Sequence, residues 1–136
     1  MRSSLFDCLL AALRAQPNVR LAVVFGSVAC GDENARSDLD LLVELRNDGS
    51  GARAELREQL EASAGKRAQL VGLDEAEYSP LLLADVLRDG RVLVDRDGGW
   101  RKLKRRASSI KRQAQEADRR LDEAAWEALE HLDSDH

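Results

Sequence analysis

The chain has 136 residues, 43% of them apolar and only 4% aromatic, which suits one small domain with an aliphatic core and perhaps one added element. A formal net charge of -4 excludes a general electrostatic attraction to nucleic acid. Cys8 and Cys30, the two cysteines, show neither metal-ligand spacing nor a disulfide framework. No run approaches the roughly 20 apolar residues of a membrane helix. Met1–Leu13 lacks the basic start and long apolar run of a signal peptide, so the expectation is a cytoplasmic protein with no membrane association.

Leu5, Phe6, Leu9, Leu10 and Leu13 recur at helical spacing and predict an opening helix that stops before Pro17-Asn18. Val19 to Phe25 is apolar and β-branched, the pattern of a buried strand. Gly26-Ser27 breaks it. Val28 to Cys30 could open a short helix, and Gly31 to Ser37 reads as a polar loop. A second strand is predicted over Asp38 to Leu45, then a turn at Asn47 to Gly51. Ala52 to Ala64 is an amphipathic helix with Leu56 and Leu60 inward and Gly65 as its C-cap. Gln69 to Leu73 is a third strand. Pro80 opens a helix through Leu87, and Arg91 to Val94 is a short fourth strand.

The remainder, Trp100 to Leu132, reads as one long helix or two in sequence. Trp100, Leu103, Ala107, Ile110, Ala114, Ala117, Leu121 and Ala124 follow alternating three-four spacing, a heptad seam weakened by its alanines. The division expected is a domain over 1–97 and a helical C-terminal extension over 98–136.

Chemistry concentrates in Val19 to Val43. Gly26 carries no Cβ to obstruct close approach, and Ser27 offers a hydroxyl and a backbone N–H at a helix start, a corner that suits a phosphate. Asp38 and Asp40 are two apart on a strand, so both carboxylates project to one face. Hard divalent cations take such oxygen ligands. A phosphate corner beside metal-binding carboxylates is the arrangement phosphoryl or nucleotidyl transfer requires. Gly-Ser alone is common in turns, and Asp-x-Asp alone is usually a solvated strand edge. Their order is the signal: apolar strand, Gly-Ser, polar loop, then Ser-Asp-x-Asp running into Leu41-Leu42-Val43. Acids heading an apolar strand need a reason, because burying unpaired carboxylates is costly.

Gly26-Ser27 followed by Ser37-Asp38-Leu39-Asp40-Leu41-Leu42-Val43 resembles the minimal nucleotidyltransferases of the polymerase β superfamily, small prokaryotic proteins often encoded as antitoxins beside a HEPN-domain ribonuclease. The resemblance runs over Leu5 to Val94 and implies an α/β (α+β) fold, a mixed sheet of about four strands flanked by helices. It implies Mg²⁺ (or Mn²⁺) and ATP or another nucleoside triphosphate, with transfer of a nucleoside monophosphate and release of pyrophosphate. By position, Gly26 and Ser27 would hold the triphosphate and Asp38 and Asp40 the metal. Ser37 and Arg36 join the nucleotide-binding set, Arg36 either as positive charge for the triphosphate or simply as a solvated loop residue. The family often has a basic residue where Cys30 stands.

That resemblance also implies a third carboxylate on the next strand, serving as general base. Gln69 stands there instead, and a neutral amide cannot take a proton. Asp74 falls on the opposite face by parity, and Glu44 should lie ~13 Å further along its strand than Asp40. Two readings stay open: retained transfer activity, or a degenerate member that binds nucleotide without catalysing.

The tail is charge-segregated. Arg101 to Arg112 carries seven basic residues and no acid, whereas Gln113 to His136 carries eight acids against Arg119 and Arg120. Cations at a helix N-terminus oppose the macrodipole, so local helix stability did not select this order. The block is either a solvated face, a pairing surface, or an RNA contact through Arg101–Arg112. In the pairing reading, self-association or a cognate toxin uses residues 100–132, with Trp100 and Trp126 as anchors. Absent stacking aromatics weigh against RNA. The functions expected are nucleotidyl transfer to a protein or RNA acceptor as an antitoxin, partner neutralisation by binding alone, or a toxin that modifies tRNA.

Overall fold

A computed structural model describes residues 5–26, 38–49 and 51–134, with side chains through Glu130. Its elements are α1 (Leu5–Arg14), β1 (Val19–Phe25), β2 (Leu39–Leu45), α2 (Ala52–Ala64), β3 (Ala68–Gly72), α3 (Leu73–Ala76), α4 (Pro80–Asp89), β4 (Arg91–Asp95), α5 (Gly99–Arg105) and α6 (Ala107–Ser134). The four strands form one mixed sheet in the order β3-β2-β1-β4. β1 runs antiparallel to both β2 and β4, and β2 pairs in parallel with β3 through the α2 crossover. The expected mixed four-strand sheet flanked by helices, with a long C-terminal helix, is the architecture observed.

Each sheet face is covered by helices, which explains why the central strands are apolar on both sides. Leu9 and Leu13 of α1 and Leu56 and Leu60 of α2 pack on Val19, Ala22, Val24, Leu39, Leu41 and Val43. On the other face, Leu83 and Val86 of α4, Leu103 of α5 and Ile110 of α6 pack on Leu21, Val23, Phe25 and Leu42. The register shift between Val19 and Leu21 lets Val19 face one layer and Leu21 the other, with Arg20 as the extra residue.

Local signals fix most element ends. Gly65 caps α2 with φ 68° and donates its N–H to the Glu61 carbonyl. Ser79 caps α4, its hydroxyl accepting from the Leu82 N–H, with Pro80 at the first helical position. Asp95 accepts from the N–H groups of Gly99 and Trp100 at 2.9 and 3.3 Å and so caps α5 across the turn.

The bounds of β2 and β3 and the continuity of the seam need correction, and of the two readings of the tail one is observed. β2 opens at Leu39 rather than Asp38, and β3 spans Ala68–Gly72 rather than Gln69 to Leu73; Leu73 instead begins the short α3, which no periodicity announced. The tail is two helices, broken at Arg106, whose guanidinium forms a two-pronged ion pair with Glu77 at 2.7 and 2.8 Å. Neither glycine nor proline marks that break, so only tertiary contacts reveal it. The seam, finally, is not continuous. Leu103, Ile110 and Ala114 are buried within the chain, while Leu121 is 59%, Trp126 67% and Leu129 52% exposed. The proximal seam is therefore spent on the sheet and α4, while Trp126 stays mostly exposed among the described residues.

Candidate active site

The end of β1 and the start of β2 meet because the two strands are antiparallel, with Phe25 opposite Asp40. The same end of β3 joins them through the parallel register, which sets Asp40 beside Gln69. Gly26, Asp38, Asp40 and Gln69 therefore converge on one end of the sheet. Asp38 stands just before β2, whose first residue donates its N–H to the Arg67 carbonyl at 2.8 Å.

Gly26 has φ 80°, in the left-handed region that costs a side chain most. A Cβ there would lie 2.8 Å from Asp40 Oδ2. The sequence suggests that the missing Cβ admits a ligand. What the structure places against it is the Asp40 carboxylate. Glycine at this position lets that carboxylate oxygen tuck against the β1 turn.

Asp40 is half-buried, and its carboxyl is held above the usual carboxylate range, first by burial and second by the negative charge of Asp38. Among the described residues no arginine or lysine forms an ion pair with either aspartate. A partly buried carboxylate beside a second negative charge is what a divalent cation relieves. The donor set thus fits Mg²⁺ or Mn²⁺: hard carboxylate oxygens on the residue just before β2 and on the second residue within it.

Gln69 is exposed on the edge strand, and its Nε2 donates to Asp38 Oδ2 at 3.2 Å. The amide is therefore within reach of the carboxylate pair. Glu44 and Asp74 are not. Glu44 lies past the buried Leu42, 3.8 Å from Arg20, and Asp74 sits 3.9 Å from Arg53. Ser27, Arg36, Ser37 and Cys30 lie outside the described residues.

One feature escaped the sequence reading. Glu44, Arg20, Asp97, Lys102, Glu77 and Arg106 line a cleft of about 350 Å³ at the other end of β2. Arg20 binds Asp97 at 2.6 Å, so its charges are largely matched in pairs. Nothing in the spacing of these residues announces the cleft, because they come from five separate stretches of chain.

This sheet, with a glycine corner and paired aspartates at one end, defines a nucleotidyltransferase. The sequence matches the family described as "Polymerase beta, Nucleotidyltransferase" over residues 9–98, and the chain belongs to that family. Among solved structures it is similar to a chain of a toxin–antitoxin complex crystallised with AMP-PNP, at 23% identity and TM-score 0.69, covering 89% of this chain and 98% of that one. It is also similar to a chain of the complex between a tri-AMPylated Shewanella oneidensis HEPN toxin and an MNT antitoxin, at 21% identity and TM-score 0.64, covering 90% and 96%. A third, an MntA–HpeT toxin–antitoxin mutant with two Asp-to-Glu changes two positions apart, gives 21% identity and TM-score 0.70, covering 89% and 98%. At these identities the likeness is one of fold. No protein of curated function matches the sequence significantly. Among the described residues, no helix is long and apolar enough to cross a membrane.

Proposed function

We propose that this chain transfers a nucleoside monophosphate, AMP from ATP, onto a protein acceptor, as the antitoxin of a toxin–antitoxin pair. The observation that carries this reading is the convergence of Gly26, Asp38 and Asp40 at one end of the sheet in a member of the nucleotidyltransferase family. The similar complexes support the acceptor class, since one holds an AMPylated toxin and another AMP-PNP.

In this reading an acceptor hydroxyl attacks the α-phosphorus, the bond from it to the oxygen bridging to the β-phosphorus breaks, pyrophosphate leaves with that oxygen, and the hydroxyl proton passes to solvent water. Asp38 and Asp40 hold the divalent cation, which when bound neutralises triphosphate charge and lowers the pKa of the attacking hydroxyl. Gly26 fixes where Asp40 points. Ser27, Ser37 and Arg36 serve the triphosphate. Gln69 orients Asp38 and takes no proton. The setting is cytoplasmic. Residues 1–97 form the transferase domain, and 98–136 form the extension through which the partner docks or the chain self-associates.

The binding-only alternative draws on two observations: an amide stands at position 69, and Leu121, Trp126 and Leu129 are uncovered on an acidic helix. Transfer to tRNA has only the Arg101–Arg112 block behind it, and Arg106 is already committed to Glu77.

The deciding experiment incubates the full chain with α-labelled ATP and Mg²⁺, beside the protein encoded next to it and beside tRNA. Label on the protein, lost in Asp38→Asn, is the expected result. Label on tRNA alone would replace the acceptor class. No label from the natural chain, but label from Gln69→Asp, would leave binding as its function.

A further inference from the structure

We infer that the site takes one divalent cation with its nucleotide rather than two, and that Gln69 is what removes the second. This rests on the nucleotidyltransferase reading above.

Catalytic sites that hold two metals keep them about 3.5–4 Å apart, bridged by shared anionic oxygens. The repulsion of two divalent ions at that separation is four times that of unit charges, and carboxylates must offset it. Here Asp38 and Asp40 supply the carboxylates, and Gln69 is the residue set beside Asp40 in the parallel register. No group of three or more His, Cys, Asp and Glu that could hold a metal exists among the described residues.

The direction of the Gln69 hydrogen bond sharpens the point. Its Nε2 donates to Asp38 Oδ2 at 3.2 Å, so the amide turns an N–H toward the carboxylate. A cation coordinated at that oxygen competes with the N–H for the same lone pairs. Flipping the amide to present Oε1 forfeits the hydrogen bond and still contributes no charge. Asp38 and Asp40 would hold one ion, with phosphate oxygens and water as the further ligands that Mg²⁺ favours. The number of ions is then set by residue 69.

The test is dialysis of the full chain against Mn²⁺ at saturating AMP-PNP, counting protein-bound manganese per bound nucleotide. The natural chain should hold one, Gln69→Leu one, and Gln69→Asp two. Position 69 is exposed on an edge strand, so these substitutions leave the core untouched, and matched thermal melts check that. Two manganese ions on the natural chain overturn the inference. One on both the natural chain and Gln69→Asp overturns the role of residue 69. Failure of the natural chain to bind AMP-PNP at all instead overturns the nucleotidyltransferase reading itself.

Discussion

Replacing Gly26 by alanine separates backbone strain from site geometry. At φ 80° the alanine carries a left-handed penalty of about 1–2 kcal/mol. Its Cβ also arrives 2.8 Å from Asp40 Oδ2, closer than real contacts allow. The obstructing atom is the end of a side chain, so the carboxylate rotates away at little cost to folding and the damage falls on the site. Gly65 supplies the control. It has φ 68°, with nothing within 4 Å of an added Cβ. Both variants should lose about 1–2 kcal/mol, read as a Tm drop of roughly 4 °C per kcal/mol for a chain this size. Only Gly26→Ala should also weaken Mn²⁺ binding in the presence of AMP-PNP, by about 10–100-fold, the usual consequence of disturbing groups that orient metal ligands. Gly26→Ala with natural affinity, or Gly65→Ala with the same loss of affinity, would refute the reasoning.

Three other expectations concern the C-terminal helices. Ile110→Ala should destabilise the fold by about 2–5 kcal/mol in urea unfolding, because Ile110 is 1% exposed among α4 and sheet residues. Leu121→Ala, on an exposed stretch of the same helix, should change stability by less than about 0.5 kcal/mol while weakening capture of the partner protein. Glu77→Gln should cost about 0.5–1 kcal/mol at neutral pH, the solvent-screened range for a well-aligned surface pair. The Arg106 hydrogen bond holds the Glu77 carboxyl below its usual value of 4.5. That stabilisation is present above the unfolded-state value and is lost as pH falls through the lower folded-state value. The gap between natural and variant stability should therefore close on acidification below pH 4.5.

The sequence by itself determined the order of α1, β1, β2, α2, β3, α4 and β4, missing only the short α3 between them, and it singled out Gly26, Asp38 and Asp40 as candidates. Alternation and helical spacing are local properties, and Gly65, Ser79 and Pro80 act through bonds to residues three or four away. Asp38 and Asp40 were legible as candidates because two acids run straight into the apolar Leu41-Leu42-Val43, where unpaired carboxylates are costly. Gln69 was located only through family resemblance, since a lone polar residue on a short strand carries no signal of its own. Tertiary structure decided the rest. It set Gln69 beside Asp40, turned the Gln69 amide onto Asp38, and showed that Gly26 makes room for a carboxylate. It also split the tail at Arg106 and divided an evenly spaced seam into a buried half and an exposed half. Those outcomes depend on pairs far apart in the chain, such as Arg106 with Glu77. A heptad pattern reports that a helix face will be covered, while what covers it is settled only when the sheet and α4 come into place.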